Sequence, residues 1–340
     1  MIISFPAELE QAIVEATKPI PNSQLMRAAA ILSGHYRESL AAGGTPTVQG
    51  ELAALSYTVI IMPATYAQLM GAMLAIRERL PEWKPLSLLD IGSGPGTALW
   101  AAAEQWSGLT KMVAWEREPA FMTLGQRLAK NSPNLVVKQA QWQQVTLRAN
   151  TLPRDNASYD LVVIGHVLNE LDEALRKAVI TYAWEHCSGV LLLVEPGTSA
   201  GFPIVKAARE QLLSLGAQTI APCTHDQPCP LTNDWCHFPQ RINRPAFQRR
   251  AKAGSAGWED SKLSYAAMAK FPVNAPVWGR LIHQPNVTKG FAELTVSAPE
   301  GIVKLKALKR NRESFQQFKD YNWGEAIPTK IEGDETNSRH

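Results

Sequence analysis

Cysteine is scarce in this chain, with four in 340 residues. That is too few for a disulfide scaffold of this size. Long apolar runs are absent as well. None approaches the ~18 residues that a membrane span requires, so no membrane partner is expected. No internal repeat is visible. The N-terminal stretch MIISFPAELEQAIVEA carries Glu8 and Glu10 and no early Arg or Lys. It does not read as a signal peptide or as an acid-poor, Arg-rich transit peptide. The expected setting is a reducing cytoplasm, where clustered thiols serve as metal ligands more often than as bridges. What remains, 45% hydrophobic and 19% charged, is the composition of a globular protein.

Acid is scarce in one region. Residues 238–330 hold 16 Lys and Arg against 7 Asp and Glu, although the whole chain has a formal net charge of only +3. A basic C-terminal third points to a polyanion, nucleic acid above all, against the plainer reading of a solvated basic surface. Arg241, Arg244, Arg249, Arg250 and Lys252 place five cations in twelve residues without an acid, and Phe247 among them suits stacking on a base. Lys304, Lys306, Lys309, Arg310 and Arg312 form a second group.

Periodicity divides the chain into four parts. Residues 1–80 show apolar positions three and four apart, as in TYAQLMGAMLAIRERL, and predict an N-terminal helical region. Over residues 81–220, the runs LSLLDIG, KMVAWE, LVVKQA, YDLVVIG and GVLLLVEPG are separated by stretches long enough for crossover helices. That is the βαβ pattern of an α/β, Rossmann-like parallel sheet. Residues 221–330 lose this regularity in a proline-broken thiol loop and a basic segment, followed by a hairpin around Ala298–Gly301. Residues 331–340 read as a disordered tail.

The first run ends in a glycine turn, LLDIGSGPGTALWAAA, with Asp90, Gly92, Ser93, Gly94 and Gly96. Such a turn lets a ligand approach the backbone at the carboxyl end of a parallel strand. Asp90 stands before the first glycine, where a pyrophosphate would meet its negative charge, and no Gly-Lys-Ser/Thr follows for ATP. S-adenosylmethionine carries no phosphate, and its ammonium and sulfonium groups tolerate a carboxylate. Glu116 closes the next strand, twenty residues beyond Gly96, where a carboxylate can accept both ribose hydroxyls. Near the expected third strand, Gln141 suits a hydrogen bond to adenine, and Trp142 suits stacking on it or the core. His166 faces the sulfonium side, either orienting substrate or packing. A catalyst for methyl transfer is missing: there is no Asn/Asp-Pro-Pro-Tyr motif and no cysteine after the fourth or fifth strand. Positioning alone can suffice for an in-line displacement, and the same absence fits a protein that binds the cofactor without chemistry.

The stretch CTHDQPCPLTNDWCHF gathers Cys223, Cys229 and Cys236 into fourteen positions with His225 and His237 beside them. Its prolines exclude a long helix or central strand, so a metal centre is expected to hold it. Zinc on three cysteines and one of those histidines is one form.

Several segments together resemble one family, the methyltransferase-like proteins associated with the small ribosomal subunit in mitochondria and bacteria. They are AAAILSGHYR (28–37), MPATYAQLMGAM (62–73), LLDIGSGPGTALWAA (88–102), VLNEL (167–171), LVEPGT (193–198), PCTHDQPCPL…DWCHFPQR (222–241), KLSYAAMAK (262–270) and YNWGEAIP (321–328). The glycine turn is generic to methyltransferases; the cysteine segment is specific. The resemblance implies a class I methyltransferase sheet and a role on ribosomal RNA or in small-subunit assembly, with transfer activity retained or lost. It also implies a [4Fe–4S] cluster on four cysteines. Three map to Cys223, Cys229 and Cys236, while Ser297 of LTVSAPEG stands at the fourth position. Cys187 does not match that position and reads as a buried structural thiol.

Overall fold

The computed structural model describes residues 2–41, 48–148, 152–153, 156–252, 256–274 and 277–334, leaving out the side chains of residues 35–41 and of Lys252. After strand β1 (Ile2–Ile3) come helices α1 (Ala7–Thr17), α2 (Asn22–Ala41), α3 (Glu51–Ile60) and α4 (Met62–Arg79). Strands and helices then alternate through β2 (Ser87–Ile91), α5 (Thr97–Gln105), β3 (Lys111–Glu116), α6 (Pro119–Ala129), α7 (Leu135–Lys138), β4 (Gln141–Gln144) and β5 (Tyr159–Gly165). A 3₁₀ turn (Leu168–Glu170), α8 (Glu173–Glu185), β6 (Cys187–Pro196), α9 (Gly201–Ser214) and β7 (Gln218–Ala221) complete the alternation. Beyond the thiol loop lie β8 (Phe238–Asn243), α10 (Ala246–Lys252), β9 (Trp258–Ala269), β10 (Gly279–Leu281), β11 (Asn286–Val287), β12 (Phe291–Ala298), β13 (Gly301–Leu308), α11 (Arg312–Asp320) and β14 (Ala326–Ile327).

The main sheet runs β4-β3-β2-β5-β6 in parallel, then β9 antiparallel to β6. This is the Rossmann-like parallel sheet that the alternating runs predict, and the class I methyltransferase sheet that the resemblance implies. Strands buried on both faces read as unbroken apolar runs, and β5 and β6 do: Leu161 to Ile164 and Val190 to Val194 are all fully buried. Helix α4 is apolar around most of its circumference because it packs against α3, α5 and β9. It ends at Arg79, two residues before Pro81, which disfavours helical backbone in the residue ahead of it. Among the described residues no single helix is long and apolar enough to cross a membrane. The pair α3 and α4 passes that test together, but it is bent by 55° and largely buried in the core.

Three regions differ from the sequence reading. LVVK forms the short helix α7 rather than a strand, because Asn134 accepts a hydrogen bond from Val136 N at 3.1 Å and caps the turn. The third parallel strand falls instead on the polar Gln141–Gln144, which suits a sheet edge. Regularity also continues past residue 221, in β8 and β9. Strand β9 pairs along one side with β6 and along the other with β7 above and β8 below, and β8 in turn pairs with β1. The thiol loop is therefore the link between two strands of the main sheet. Lastly, the described part of the tail is tied down, since Asp334 accepts from Leu308 N and from Asn311 Nδ2. Residues 335–340 of the expected disordered tail lie outside the described residues.

A second, antiparallel sheet, β11-β12-β10-β14 with β13 on β12, is built on the expected hairpin, with Ala298 opposite Gly301. Its core is Leu281, Leu294, Val296, Phe318 and Ile327. At the amino end of the main sheet, Asp160 joins three strands. Its carboxylate accepts from Leu86 N (2.8 Å), Ser87 N (3.1 Å), Ser87 Oγ (3.1 Å) and Ser188 Oγ (3.2 Å). Asp160→Ala leaves these donors unpaired and is expected to lower stability by about 2 kcal/mol, read from the shift of the urea midpoint.

Candidate cofactor cavity, cysteine cavity and basic surface

Parallel strands deliver their carboxyl ends to one rim of the sheet, and ligands bind there. At that rim Gly92, Gly94, Glu116, Gly165 and His166 line one cavity of about 130 Å³. Gly92 and Gly94 both have positive φ, 73° and 53°, a region costly for other residues. A Cβ at Gly92 would collide with Val167, whereas at Gly94 it would meet nothing within 4 Å. Gly94 thus presents bare backbone to the cavity.

Glu116 fixes that backbone. Its Oε2 accepts from Gly94 N at 2.8 Å, and its Oε1 accepts from Arg117 N and Glu118 N, each at 2.8 Å. A carboxylate offers about four acceptor sites. Three are used, so in this arrangement Glu116 has room for one ribose hydroxyl rather than the pair expected. Asp90, 2% exposed, lies beneath the turn, and its Oδ2 has no hydrogen-bond partner. Burial first, and the Glu116 carboxylate second, push its pKa up to about 8. The carboxyl under the glycine turn is therefore neutral at pH 7; a cationic ligand above it would draw its pKa down, whereas a phosphate would push it further up. Ser93 is buried in the turn, with N–H donating to Trp115 O at 2.8 Å.

Gln141 and Trp142 do not line this cavity. The reason is the displaced strand: Glu116 stands opposite Gln144, so Gln141, opposite Val113, sits three residues toward the far end of the sheet. Gln141 is exposed, and the Trp142 ring packs over Gly96 and Gly125, so that a Cβ at Gly96 would lie 2.9 Å from it. Val145, Thr146 and Leu147, just past β4, line the cavity in their place. Correct strand register would have found them. Val48, Tyr57 and Phe121 form another wall, with the rings of Tyr57 and Phe121 edge-to-face at 5.1 Å. No motif marks them.

His166 follows β5 in the left-handed region, φ 60°, the sole non-glycine with positive φ among the described residues. Its Nε2 lies 2.6 Å from Gln68 Oε1, and Gln68 Nε2 donates to Ser261 Oγ and Lys262 O, each at 2.8 Å. Burial pulls the imidazole down to about 4, so it is neutral at pH 7.

The thiol loop forms a second cavity. Cys223, Cys229, Cys236 and Ser297 all line it, together with Arg209 and Arg280. Ser297 arrives from β12 of the second sheet, directly opposite Arg280 on β10. Arg280, 2% exposed, donates to Pro222 O (3.0 Å), Gly324 O (2.9 Å) and Glu78 Oε2 (3.2 Å). Arg209 donates to His225 O (2.6 Å) and Gln227 O (3.1 Å). Each guanidinium keeps one buried nitrogen without a partner among the described residues, Arg209 Nε and Arg280 Nη2. Burial, with Cys223 and Cys229 beside it, raises the Cys236 thiol well above its usual range. Among the described residues no three His, Cys, Asp or Glu side chains stand close enough to hold one metal ion. A tetrahedral zinc needs its sulfurs about 3.8 Å apart. Neither His225 nor His237 lines the cavity, and His237 is stacked on Trp235 instead. Cys187 is buried in β6, its thiol pushed up to about 12 by burial.

The first basic group is less free than its sequence suggests. Strand β9 brings two acids across from β8. Arg241 pairs with both Asp260 oxygens at 2.7 Å and lies 3.8 Å over the Trp258 ring, and Arg244 pairs with Glu259 at 3.2 Å. Phe247 is buried against Phe5, 6.1 Å between centroids, and cannot take a base. Arg249 and Arg250 are exposed on α10; the side chain of Lys252 lies outside the described residues. Lys304, Lys309, Arg310 and Arg312 are exposed, while Lys306 lies 4.1 Å over the Phe291 ring.

The raised Asp90 pKa has a definite sign. The folded protein holds this proton up to pH of about 8, whereas the unfolded chain releases it near 4, so between those values Asp90 lowers stability as pH rises. Glu195, buried in β6 and raised to about 8 in the same way, adds to that fall. Asp90→Asn is expected to raise the melting temperature at pH 8 more than at pH 5, which thermal melts across that range will read. Above pH 8, where Asp90 is ionised, the same variant is expected to weaken binding of a cationic ligand.

The family described as "Mitochondrial small ribosomal subunit Rsm22" matches residues 51–328. The human "Ribosome assembly protein METTL17, mitochondrial" is 27% identical over 290 residues, covering 81% of this chain and 62% of the relative. "Rsm22-cox11 tandem protein 2, mitochondrial" of Schizosaccharomyces pombe is 29% identical over 223 residues, covering 57% of this chain and 28% of that protein. The chain thus spans less than two thirds of the length of these relatives. Among solved structures, an O-methyltransferase family protein from Burkholderia thailandensis aligns with a TM-score of 0.43 at 12% identity, over 78% of this chain and 73% of that one. Magnesium protoporphyrin IX methyltransferase from Synechocystis with bound SAM gives 0.41 at 12% identity, over 72% and 97%. With the matched segment covering most of its length, glycine turn and cysteine loop included, the chain belongs to the mitochondrial small ribosomal subunit Rsm22 family.

Proposed function

We propose that this protein is an S-adenosylmethionine-binding, methyltransferase-like factor that acts on ribosomal RNA of the small subunit during assembly, in a reducing cytoplasm. The observation that carries the cofactor is the bare Gly94 backbone, held by Glu116, facing the cavity at the carboxyl rim of the parallel strands. The ribosomal role follows from the family and from what its human relative is named for. Arg249, Arg250, Lys304, Lys309 and Arg312 supply exposed cations for phosphates.

The cysteine cavity is read as the seat of a [4Fe–4S] cluster on Cys223, Cys229 and Cys236, with Ser297 at the fourth position. Cys223, Cys229, Cys236 and Ser297 around one cavity, with two guanidinium nitrogens that lack partners among the described residues, suit an anionic cluster wider than one ion. Such a centre would supply folding free energy to a loop that has little regular hydrogen bonding of its own.

Calorimetry with S-adenosylmethionine tests the first part: binding is expected in the wild type, lost in Gly94→Val and weakened by about 1–3 kcal/mol in Glu116→Ala. Co-sedimentation with small-subunit precursors at several salt concentrations tests the second. Each phosphate contact removed is expected to flatten the log–log salt slope by about one unit. Anaerobic purification with iron, sulfide and zinc analysis tests the third, and Ser297→Cys is expected to slow loss of iron in air. Stoichiometric zinc without sulfide would overturn the cluster.

A further inference from the structure

From the hydrogen bonding around the cofactor cavity we infer that His166 Nδ1 is the proton acceptor for the group that receives the methyl, with Gln68 the positioning residue that fixes its tautomer. This inference rests on the reading of the cavity as an S-adenosylmethionine site.

The tautomer follows from a chain of donors and acceptors. Lys262 O can only accept, so the Gln68 nitrogen that donates to it at 2.8 Å is identified as the amide NH₂. Gln68 Oε1 is then the acceptor facing His166 Nε2 at 2.6 Å, and Nε2 must carry the hydrogen. The imidazole is neutral, so its other nitrogen, Nδ1, has a free lone pair. Among the described residues no hydrogen bond uses that lone pair, and Nδ1 is not among the buried orphaned atoms. His166 lines the same cavity as Gly92, Gly94 and Glu116. Its backbone is held in the left-handed region, a strained conformation that tends to persist where geometry serves a site.

When bound, the cofactor supplies its methyl: the sulfur–carbon bond breaks with its electron pair left on sulfur as the nucleophile's lone pair forms the new bond. The nucleophile, a nucleotide N–H or O–H, becomes cationic and sheds its proton to Nδ1. His166 is then an imidazolium that still donates from Nε2 to Gln68 Oε1, and it returns the proton to water. A nitrogen or oxygen that has just gained a methyl is strongly acidic, so a weakly basic imidazole suffices. The class of acceptor is thereby narrowed to groups that carry a hydrogen; a carbon nucleophile that requires a thiolate is not served.

The test uses full-length protein, methyl-labelled S-adenosylmethionine and small subunits from cells lacking it. His166→Asn is the informative variant, since Asn tolerates the left-handed backbone but cannot take up a proton. Transfer is expected to fall ~100-fold or more, with cofactor affinity by calorimetry within about threefold of wild type. Independently of activity, ¹⁵N resonances of the wild-type imidazole at pH 7 are expected to show hydrogen on Nε2 and a bare Nδ1, and Gln68→Met is expected to mix the tautomers. Undiminished transfer by His166→Asn, or a protonated Nδ1 in the wild type, would overturn the inference. So would a wild type that binds cofactor and subunits but transfers nothing, which leaves the binding role standing. No cofactor binding at all would instead remove the reading of the cavity, and this inference with it.

Discussion

The antiparallel pairing of β9 is the constraint on which both cavities depend. A parallel sheet would otherwise leave the β6 edge open, with a row of unpaired N–H and C=O groups. Strand β9 satisfies that edge from Val190–Ala269 to Pro196–Leu263, and its other side carries β7 and β8. The chain leaves the sheet at Ala221, opposite Ala267, and returns at Phe238, opposite Leu263. The sixteen intervening residues must therefore fold back over a gap only a few residues long. That closure brings Cys223 at one end and Cys236 at the other into one cavity.

The same strand reaches the cofactor side. Ser261 and Lys262 hold the amide of Gln68, which in turn holds His166. Two residues later, Ser264 donates to Cys236 O at 2.7 Å. The two cavities are thus tied to neighbouring positions of β9 by hydrogen bonds rather than by distance alone. Arg280 makes the complementary link from the second sheet, holding Pro222 O at the start of the thiol loop and Gly324 O before β14. Removing a buried guanidinium that satisfies two carbonyls exposes both to an unpaired state, which costs more than the bonds contribute on balance.

Charge shows most clearly how local sequence and tertiary structure part company. Read along the chain, Arg241 and Arg244 stand in a stretch without acid. In space, Glu259 and Asp260 lie across the β8–β9 ladder and pair with both. Phe247, which looks free to stack on a base, fills the core beside Phe5 because α10 turns that face inward. Among the described residues of the two groups, the exposed cations are Arg249 and Arg250 on α10, Lys304 on β13, and Lys309, Arg310 and Arg312 around the β13–α11 turn.

Sequence alone determined the parallel sheet, the glycine turn with Asp90 and Glu116, and the hairpin that carries Ser297. In each case the signal is local: apolar runs of strand length, glycines where φ must be positive, and turn residues between alternating stretches. It also marked the cysteines of the second cavity, because their spacing in a proline-broken loop has no role in regular structure. Tertiary structure decided the rest. Asn134 capped Leu135–Lys138 into a helix and moved the third parallel strand six residues on, which took Gln141 and Trp142 away from the cavity and brought Val145 to Leu147 in. The acceptors around Gln68 and His166 come from segments nearly two hundred residues apart in the chain, so which imidazole nitrogen holds the hydrogen could be decided only once β9 lay beside α4.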